Sequence, residues 1–179
     1  MPEIKTVKSK IVYKNKWMSV REDEIIRPSG NSGIYGVVDK PHFAVVIPFE
    51  DNHVYCVEQY RYPVNERCLE FPQGAWESNP DMEPVKLAAA ELQEETGLIA
   101  AKMIHVAFQY LASGYSSQGY HIYLATELSQ SETRFDEEEE NLITKKIPID
   151  EFELLLTSGS IKDATTSNAY GLAKLKGIV

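Results

Sequence analysis

The sequence is poor in cysteine, in basic residues and in long apolar runs, and each shortage removes a class of protein. It has two cysteines, Cys56 and Cys68, in 179 residues. Two thiols do not complete a four-ligand zinc site, and this pair lacks the Cys-x-x-Cys spacing. Such scarcity fits a reducing compartment. No apolar run approaches the roughly 20 residues of a membrane span, so no membrane association is expected. The N-terminus, MPEIKTVKSK, is polar and has no apolar middle of a secretion signal. A cytoplasmic location is the expectation. Lys and Arg number 18 against 27 Asp and Glu, for a net charge of −9 and a pI near 5.0. A binder of phosphate backbones needs a basic face, so no nucleic-acid partner is expected. Acidity does not exclude a small phosphorylated ligand, because divalent cations bridge protein carboxylates to phosphate oxygens.

What is present suits one core. Hydrophobic residues make up 43% of the chain and charged ones 25%. Residues 1–40 read as an extension of short strands: Lys10 to Tyr13 and Trp17 to Ile26 carry β-formers, and Arg27 to Gly30 and Asn31 to Gly33 carry turn chemistry. From 41 to 179 the chain reads as the main domain. Phe43 to Phe49 is a buried strand that Pro48 should end. After a turn at Asp51-Asn52, Val54 to Gln59 returns. Cys68 to Phe71 is a further short strand, and Gln73 to Asp81 a loop. Pro84 and Gly97 bracket a helix, with Asp81 as its cap. Strands follow over 103–111, 120–128 and 142–147, and helices over 150–158 and 164–176. This irregular alternation predicts an α/β protein of the α+β type, a mixed sheet sandwiched between helices with a small N-terminal β extension.

The helix between Pro84 and Gly97 carries the strongest chemical signal. Glu91, Glu94 and Glu95 stand at i, i+3 and i+4 and so share one helical face. Val85, Ala89, Leu92 and Thr96 form a neighbouring face that should pack on the sheet. Three carboxylates so placed repel one another, and the helix dipole disfavours them near its C-terminal end. A hard, oxygen-seeking cation relieves both effects, and Mg²⁺ is the natural one. A solvated acidic face is the plain alternative.

The string AELQEETGL resembles the C-terminal half of the Nudix box, Gly-x5-Glu-x7-Arg-Glu-U-x-Glu-Glu-x-Gly-U, where U is apolar. Glu91, Leu92, Glu94, Glu95, Gly97 and Leu98 match it. EFPQG (Glu70 to Gly74) resembles the approach to that box. EQYRYPV (Glu58 to Val64), HIYLA, IPIDEF and IKDATT are similar in order to the ADP-ribose and nucleoside diphosphate sugar branch. The resemblance spans roughly residues 8–175. It implies a Nudix fold over 41–179 and divalent-metal-dependent hydrolysis of a diphosphate linkage in ADP-ribose or a nucleotide sugar. The products would be a nucleoside monophosphate and a phosphorylated moiety. The implied cofactor is Mg²⁺, or Mn²⁺, and the implied assembly is a homodimer through the N-terminal strands. The front of the box departs from the pattern. Counted back from Gly97, its first Glu falls on Met82 and its Arg on Ala90; Glu77 and Glu83 both stand near the former. The loop is two residues long, because Gly74 precedes Glu91 by 17 positions where the pattern has 15. The loss of the arginine keeps a non-catalytic, ligand-binding or regulatory Nudix domain as the alternative.

The resemblance also assigns roles. Glu91 and Glu95 would hold metal together with the backbone carbonyl of Gln73, and Glu94 belongs to the catalytic set. Arg61 would bind substrate, since a guanidinium suits phosphate, and Glu70 would lie in the same site. In the acidic run Asp136 to Glu140, Glu138 aligns with the general base of similar enzymes and Glu140 with a further metal ligand. Their spacing puts them on one side of an extended segment. Gln118 stands where the ADP-ribose branch often has an acid. Tyr115 and Tyr120 are candidates for stacking on a base, although buried tyrosines are commoner. His105 and His121 read as structural.

Overall fold

The computed structural model describes residues 3–76, 82–131 and 141–179. Three strands come first: β1 (Lys5–Lys14), β2 (Ser19–Ile26) and β3 (Ser32–Asp39). They form an antiparallel sheet of their own in the order β1-β2-β3. The third strand was not expected. Asn31 to Gly33 has turn composition, but Ser32 and Gly33 already pair with Ile26 and Ile25. This sheet rests on the loop 112–118: the Val38 amide donates to the Tyr115 carbonyl at 2.8 Å, and the Tyr35 hydroxyl to the Gly114 carbonyl at 2.9 Å.

The second sheet is the core of the fold. Its strands are β4 (Phe43–Glu50), β5 (His53–Arg61), β6 (Glu66–Glu70), the two-residue β7 (Gln73–Gly74), β8 (Leu98–Tyr110), β9 (Gly119–Gln130) and β10 (Ile143–Pro148). The order is β10-β5-β4-β9-β8, with β6 on β5 and β7 on β4. β4 and β9 are parallel and the other pairs antiparallel, so the sheet is mixed, as the sequence predicts. Helices α1 (Pro84–Thr96), α2 (Ile149–Thr157) and α3 (Ala164–Leu175) cover it. Alternation along β4 feeds two cores. Val45 and Ile47 join Phe71, Phe152 and Tyr170 on the α2–α3 side; Ala44 and Val46 join Leu87, Ala88 and Leu92 on the α1 side.

Two local readings change for physical reasons. β4 does not stop at Pro48, which is fully buried and in register with Ala125. On the other edge of β4, β7 pairs with Ala44 and Val45 while β5 pairs with Phe49 and Glu50, so the proline sits at the fork between them. A missing N–H is tolerated where no ladder partner waits for it. The face of α1 is also rotated from expectation. Leu87, Ala88, Glu91, Leu92, Glu95 and Thr96 are buried, whereas Val85 is 38% exposed and Ala89 is exposed. The helix starts on Pro84 with Glu83 in the cap position and no side-chain capping bond, while Asp81, the expected cap, lies outside the described residues. It ends where Gly97 takes φ 70° and its amide bonds back to the Gln93 carbonyl at 2.8 Å.

Candidate active site

Strand β7 stands between the acids of α1 and a cleft, whose lining includes Gln73 and Gly74. β7 is held by pairing with Val45 and Ala44, the Val46 amide donates to the Pro72 carbonyl at 2.9 Å, and the Phe71 amide donates to Thr166 Oγ1 at 2.8 Å. The backbone amide of Gln73 then donates to Glu95 Oε2 at 3.1 Å. Gly74 abuts the Glu91 carboxylate so closely that an added Cβ would lie within 3.0 Å of its carboxyl carbon and both oxygens. Glu91 and Glu95 are buried, at 6% and 3% exposure, and Glu94 is half-buried. The structure therefore brings Gln73 beside Glu95 and Gly74 beside Glu91, so three of the four expected metal residues, Gln73, Glu91 and Glu95, lie together.

The donors suit a hard cation: carboxylate oxygens on one helical face beside a strand backbone. Among the described residues no cluster of three or more His, Cys, Asp and Glu forms a ready metal cage. An open half-shell still fits Mg²⁺, which keeps several waters and takes one or two carboxylates together with substrate phosphates. Glu138 and Glu140 lie outside the described residues, as does Glu77. The next described residue is Asn141, whose carbonyl accepts from Arg67 Nη2 at 3.0 Å. Thr144 Oγ1 donates to the Glu95 carbonyl at 3.1 Å, so the segment after the acidic run is tied to the end of α1. Glu83 is exposed and paired with Lys86 at 3.1 Å.

On the other side of β7 lies a cleft of about 620 Å³, the size of a small-molecule site. Arg61 and Glu70 both line it, and they bind each other: Arg61 Nε reaches Glu70 Oε1 at 2.9 Å and Nη2 reaches Oε2 at 2.5 Å. Burial works against the Arg61 cation, yet the hydrogen bonds and charge of Glu70, joined by the charges of Glu95 and Asp163, outweigh it and raise its pKa. Gln73 Nε2 adds a bond to Glu70 Oε2 at 2.9 Å and another to Asp163 Oδ2 at 3.3 Å. Glu70 is 3% exposed and accepts from three N–H groups, so its role includes fixing the guanidinium.

Several lining residues were not singled out in the sequence. Trp17 and Lys40 come from the N-terminal sheet and its exit; Lys162 and Asp163 come from the start of α3. Lys162 and Asp163 do fall in IKDATT, one of the segments that carry the resemblance, and Asp163 is an N-cap whose Oδ2 accepts from the Thr166 amide at 2.7 Å. Gln118 is buried, lines the cleft and donates to the Pro41 carbonyl at 2.8 Å. A carboxylate there would have no proton for that bond. Tyr120 is buried and stacked on Phe43 at 5.1 Å, with its hydroxyl accepting from Asn168, whereas Tyr115 is 59% exposed. His105 and His121 pair with each other across β8 and β9 at 3.2 Å. Burial and then the neighbouring His105 and His42 lower the pKa of His121.

Comparison with known proteins extends these findings. Residues 4–38 match the model of the nucleoside diphosphate sugar hydrolase N-terminal domain. The chain is 27% identical over 176 residues to an ADP-ribose pyrophosphatase of Bacillus subtilis (strain 168), covering 97% of this chain and 94% of that one. It is also 27% identical over 176 residues to a methanol dehydrogenase activator of Bacillus methanolicus, with the same two coverages. A crystal structure of an ADP compounds hydrolase superposes with a TM-score of 0.86 at 21% identity, over 100% of this chain and 98% of that one.

Proposed function

Because the chain is a Nudix protein of the ADP-ribose pyrophosphatase-like kind, we propose that it hydrolyses the diphosphate linkage of ADP-ribose or a nucleotide sugar. The observation that carries this reading is the junction at β7. One short strand holds Glu91 and Glu95 on one side and the Arg61–Glu70 pair of the cleft on the other. A diphosphate lying across it meets both.

Nudix hydrolases work with a divalent cation. Here Glu91, Glu95, the Gln73 carbonyl and Glu140 would hold it, with Mg²⁺ or Mn²⁺ the fitting ion. When bound, it neutralises phosphate charge. Arg61, fixed by Glu70, binds a phosphate oxygen and orients the substrate. Glu94, half-buried on the same helical face, belongs to the set that orients the attacking water. Glu138 takes a proton from that water. The water oxygen forms a bond to phosphorus, the bond from phosphorus to the bridging oxygen breaks, and that oxygen leaves with the second phosphate.

The N-terminal sheet supports a homodimer. Every residue of β1 is exposed, including Val7, Ile11, Val12 and Tyr13, and Ile34 of β3 is 65% exposed. A second copy is the partner that would cover such a sheet. Sedimentation should give twice the 20.2 kDa chain mass. Free Cys56 and Cys68 agree with a cytoplasmic location, and no helix of the described residues is long and apolar enough to cross a membrane.

A second reading, a Nudix domain that binds and regulates without turnover, is favoured by Ala90 in place of the box arginine. The similarity to a protein named as an activator points the same way. The experiment is a panel of nucleoside diphosphate sugars and triphosphates incubated with Mg²⁺ or Mn²⁺ and analysed by chromatography. A nucleoside monophosphate formed from the sugar nucleotides, and lost with chelator, supports the hydrolase. Binding without products supports the regulatory domain.

A further inference from the structure

The end of the cleft where α3 begins carries chemistry that a diphosphate does not require. Arg61 gives two donors to Glu70, and Lys162 gives its ammonium to Glu66 at 2.6 Å. Asp163 stands beside them in the lining, and among the described residues no cation lies within 4.0 Å of it. Its Oδ2 accepts from the Thr166 amide and from Gln73 Nε2, and among the described residues no hydrogen bond reaches Oδ1. Gln73 gives its other Nε2 hydrogen to Glu70, so one amide holds two carboxylates side by side. The charged residues of the lining, Lys40, Arg61 and Lys162 against Glu66, Glu70 and Asp163, balance overall, and Asp163 is the carboxylate among them without an ion pair among the described residues.

We propose that Asp163 is a specificity-determining residue: it accepts the hydroxyls of a sugar flanking the diphosphate and rejects a phosphate in the same place. The proposal rests on the cleft's being the site for a nucleoside diphosphate derivative. In a nucleoside diphosphate sugar, a hydroxylated ring lies on each side of the diphosphate, whichever way the molecule enters. In a nucleoside triphosphate, one side is a further phosphate. A carboxylate makes a short, strong bond to a hydroxyl, at roughly 2.5–2.7 Å. Against an ionised phosphate, acceptor faces acceptor and like charges meet at low dielectric. Lys162 is committed to Glu66, and Arg61, held by Glu70, is taken by the diphosphate itself. Lys40, the other cation of the lining, lies beyond 4.0 Å of Asp163, so among the described residues no spare cation stands at Asp163 to answer that charge. Gln73 ties this discrimination to the chemistry, because its own backbone amide contacts Glu95.

Asp163→Asn separates charge from architecture, since Asn caps a helix about as well as Asp. Asp163→Ser is the second variant, which keeps a capping oxygen in a smaller side chain. For wild type and both variants, kcat/KM is measured with ADP-ribose and with ATP at saturating Mg²⁺, and Tm is measured alongside. The expected result is a preference for ADP-ribose over ATP that shrinks by about tenfold or more in both variants. Most of the change for ATP should lie in KM, with Tm held within about 3 °C. A preference that stays within about twofold of wild type, at unchanged Tm, overturns the proposal. Calorimetric affinities for the same two ligands keep the test independent of turnover. A wild type that binds without hydrolysing removes the hydrolase reading alone, and the shift in affinity ratio then decides for or against Asp163. A wild type that binds neither ligand overturns both.

Discussion

Gly74→Ala should disable the acid helix without unfolding the protein. Gly74 is not in the left-handed region, so its backbone accepts alanine. Replacing glycine at a compatible position stabilises by about 0.4–1 kcal/mol through the unfolded chain. Against this, the new methyl meets the Glu91 carboxylate, all three of whose terminal atoms lie within 3.0 Å of the built Cβ. These atoms are the far end of a flexible side chain, so the carboxylate swings aside, leaving its preferred rotamer at a cost of about 0.5–1.5 kcal/mol. The two effects nearly cancel, and Tm should move by no more than about 4 °C. Chemistry is far less tolerant. A shift of about 1 Å in a positioning group costs about 10²-fold in rate. The assay is turnover of ADP-ribose as a function of Mg²⁺ concentration, beside a thermal melt. Half-saturation should move to higher Mg²⁺ and the plateau should fall by about 10²-fold. Wild-type Mg²⁺ dependence and turnover at unchanged Tm would refute the placing of Glu91 at the metal. A large loss of Tm would refute the view that the carboxylate can yield.

Other expectations follow from the same geometry. Glu95→Gln should lower turnover by orders of magnitude while the melt stays close to wild type, and chelator should abolish wild-type activity; full activity of the variant in excess chelator would sink the metal assignment. Arg61→Ala should raise KM and lower stability by about 1–3 kcal/mol in urea unfolding, because Glu70 is 3% exposed and loses two of its three donors; an unchanged KM would show that the guanidinium serves Glu70 alone. His121 has a folded pKa below its ordinary value of 6.5, first from burial and then from His105 and His42. The unfolded chain therefore binds the proton more readily. Stability from this group is present above about pH 6.5 and is lost as pH falls below it. The effect is under about 1 kcal/mol for a half-buried group, so at most about 2–4 °C in Tm; His121→Gln should flatten the melting temperature between about pH 7.5 and pH 5.5, and an equal slope in both proteins would count against it.

Local chemistry was legible where one segment decides its own shape. Pro84 and Gly97 bracket α1 because a proline suits a first turn and a glycine takes positive φ at the end. The i, i+3, i+4 glutamates were readable as one face for the same reason. Which neighbouring face packs inward was not readable. In LAAAEL nearly every position is small or apolar, and the choice of Leu87 and Ala88 over Val85 and Ala89 depends on where β4 and β8 lie. Pro48 misled because its place at the fork between β5 and β7 depends on residues 25 positions downstream.

The cleft is the harder lesson. Arg61, Glu70 and Gln73 lie within 13 positions of one another, but Asp163 comes 90 positions after Gln73, and Trp17 and Lys40 come from a different sheet. A motif reports the groups that one short segment must supply, here the acids of α1. Selectivity is built from segments the fold brings together, and no spacing rule links them. The box pattern therefore points to the reaction, and the polar groups gathered around Gln73 bear on the substrate. The missing arginine at Ala90 belongs to the first kind of information and Asp163 to the second. Changing Ala90 should act on rate with every substrate alike, whereas changing Asp163 should act on the choice between substrates.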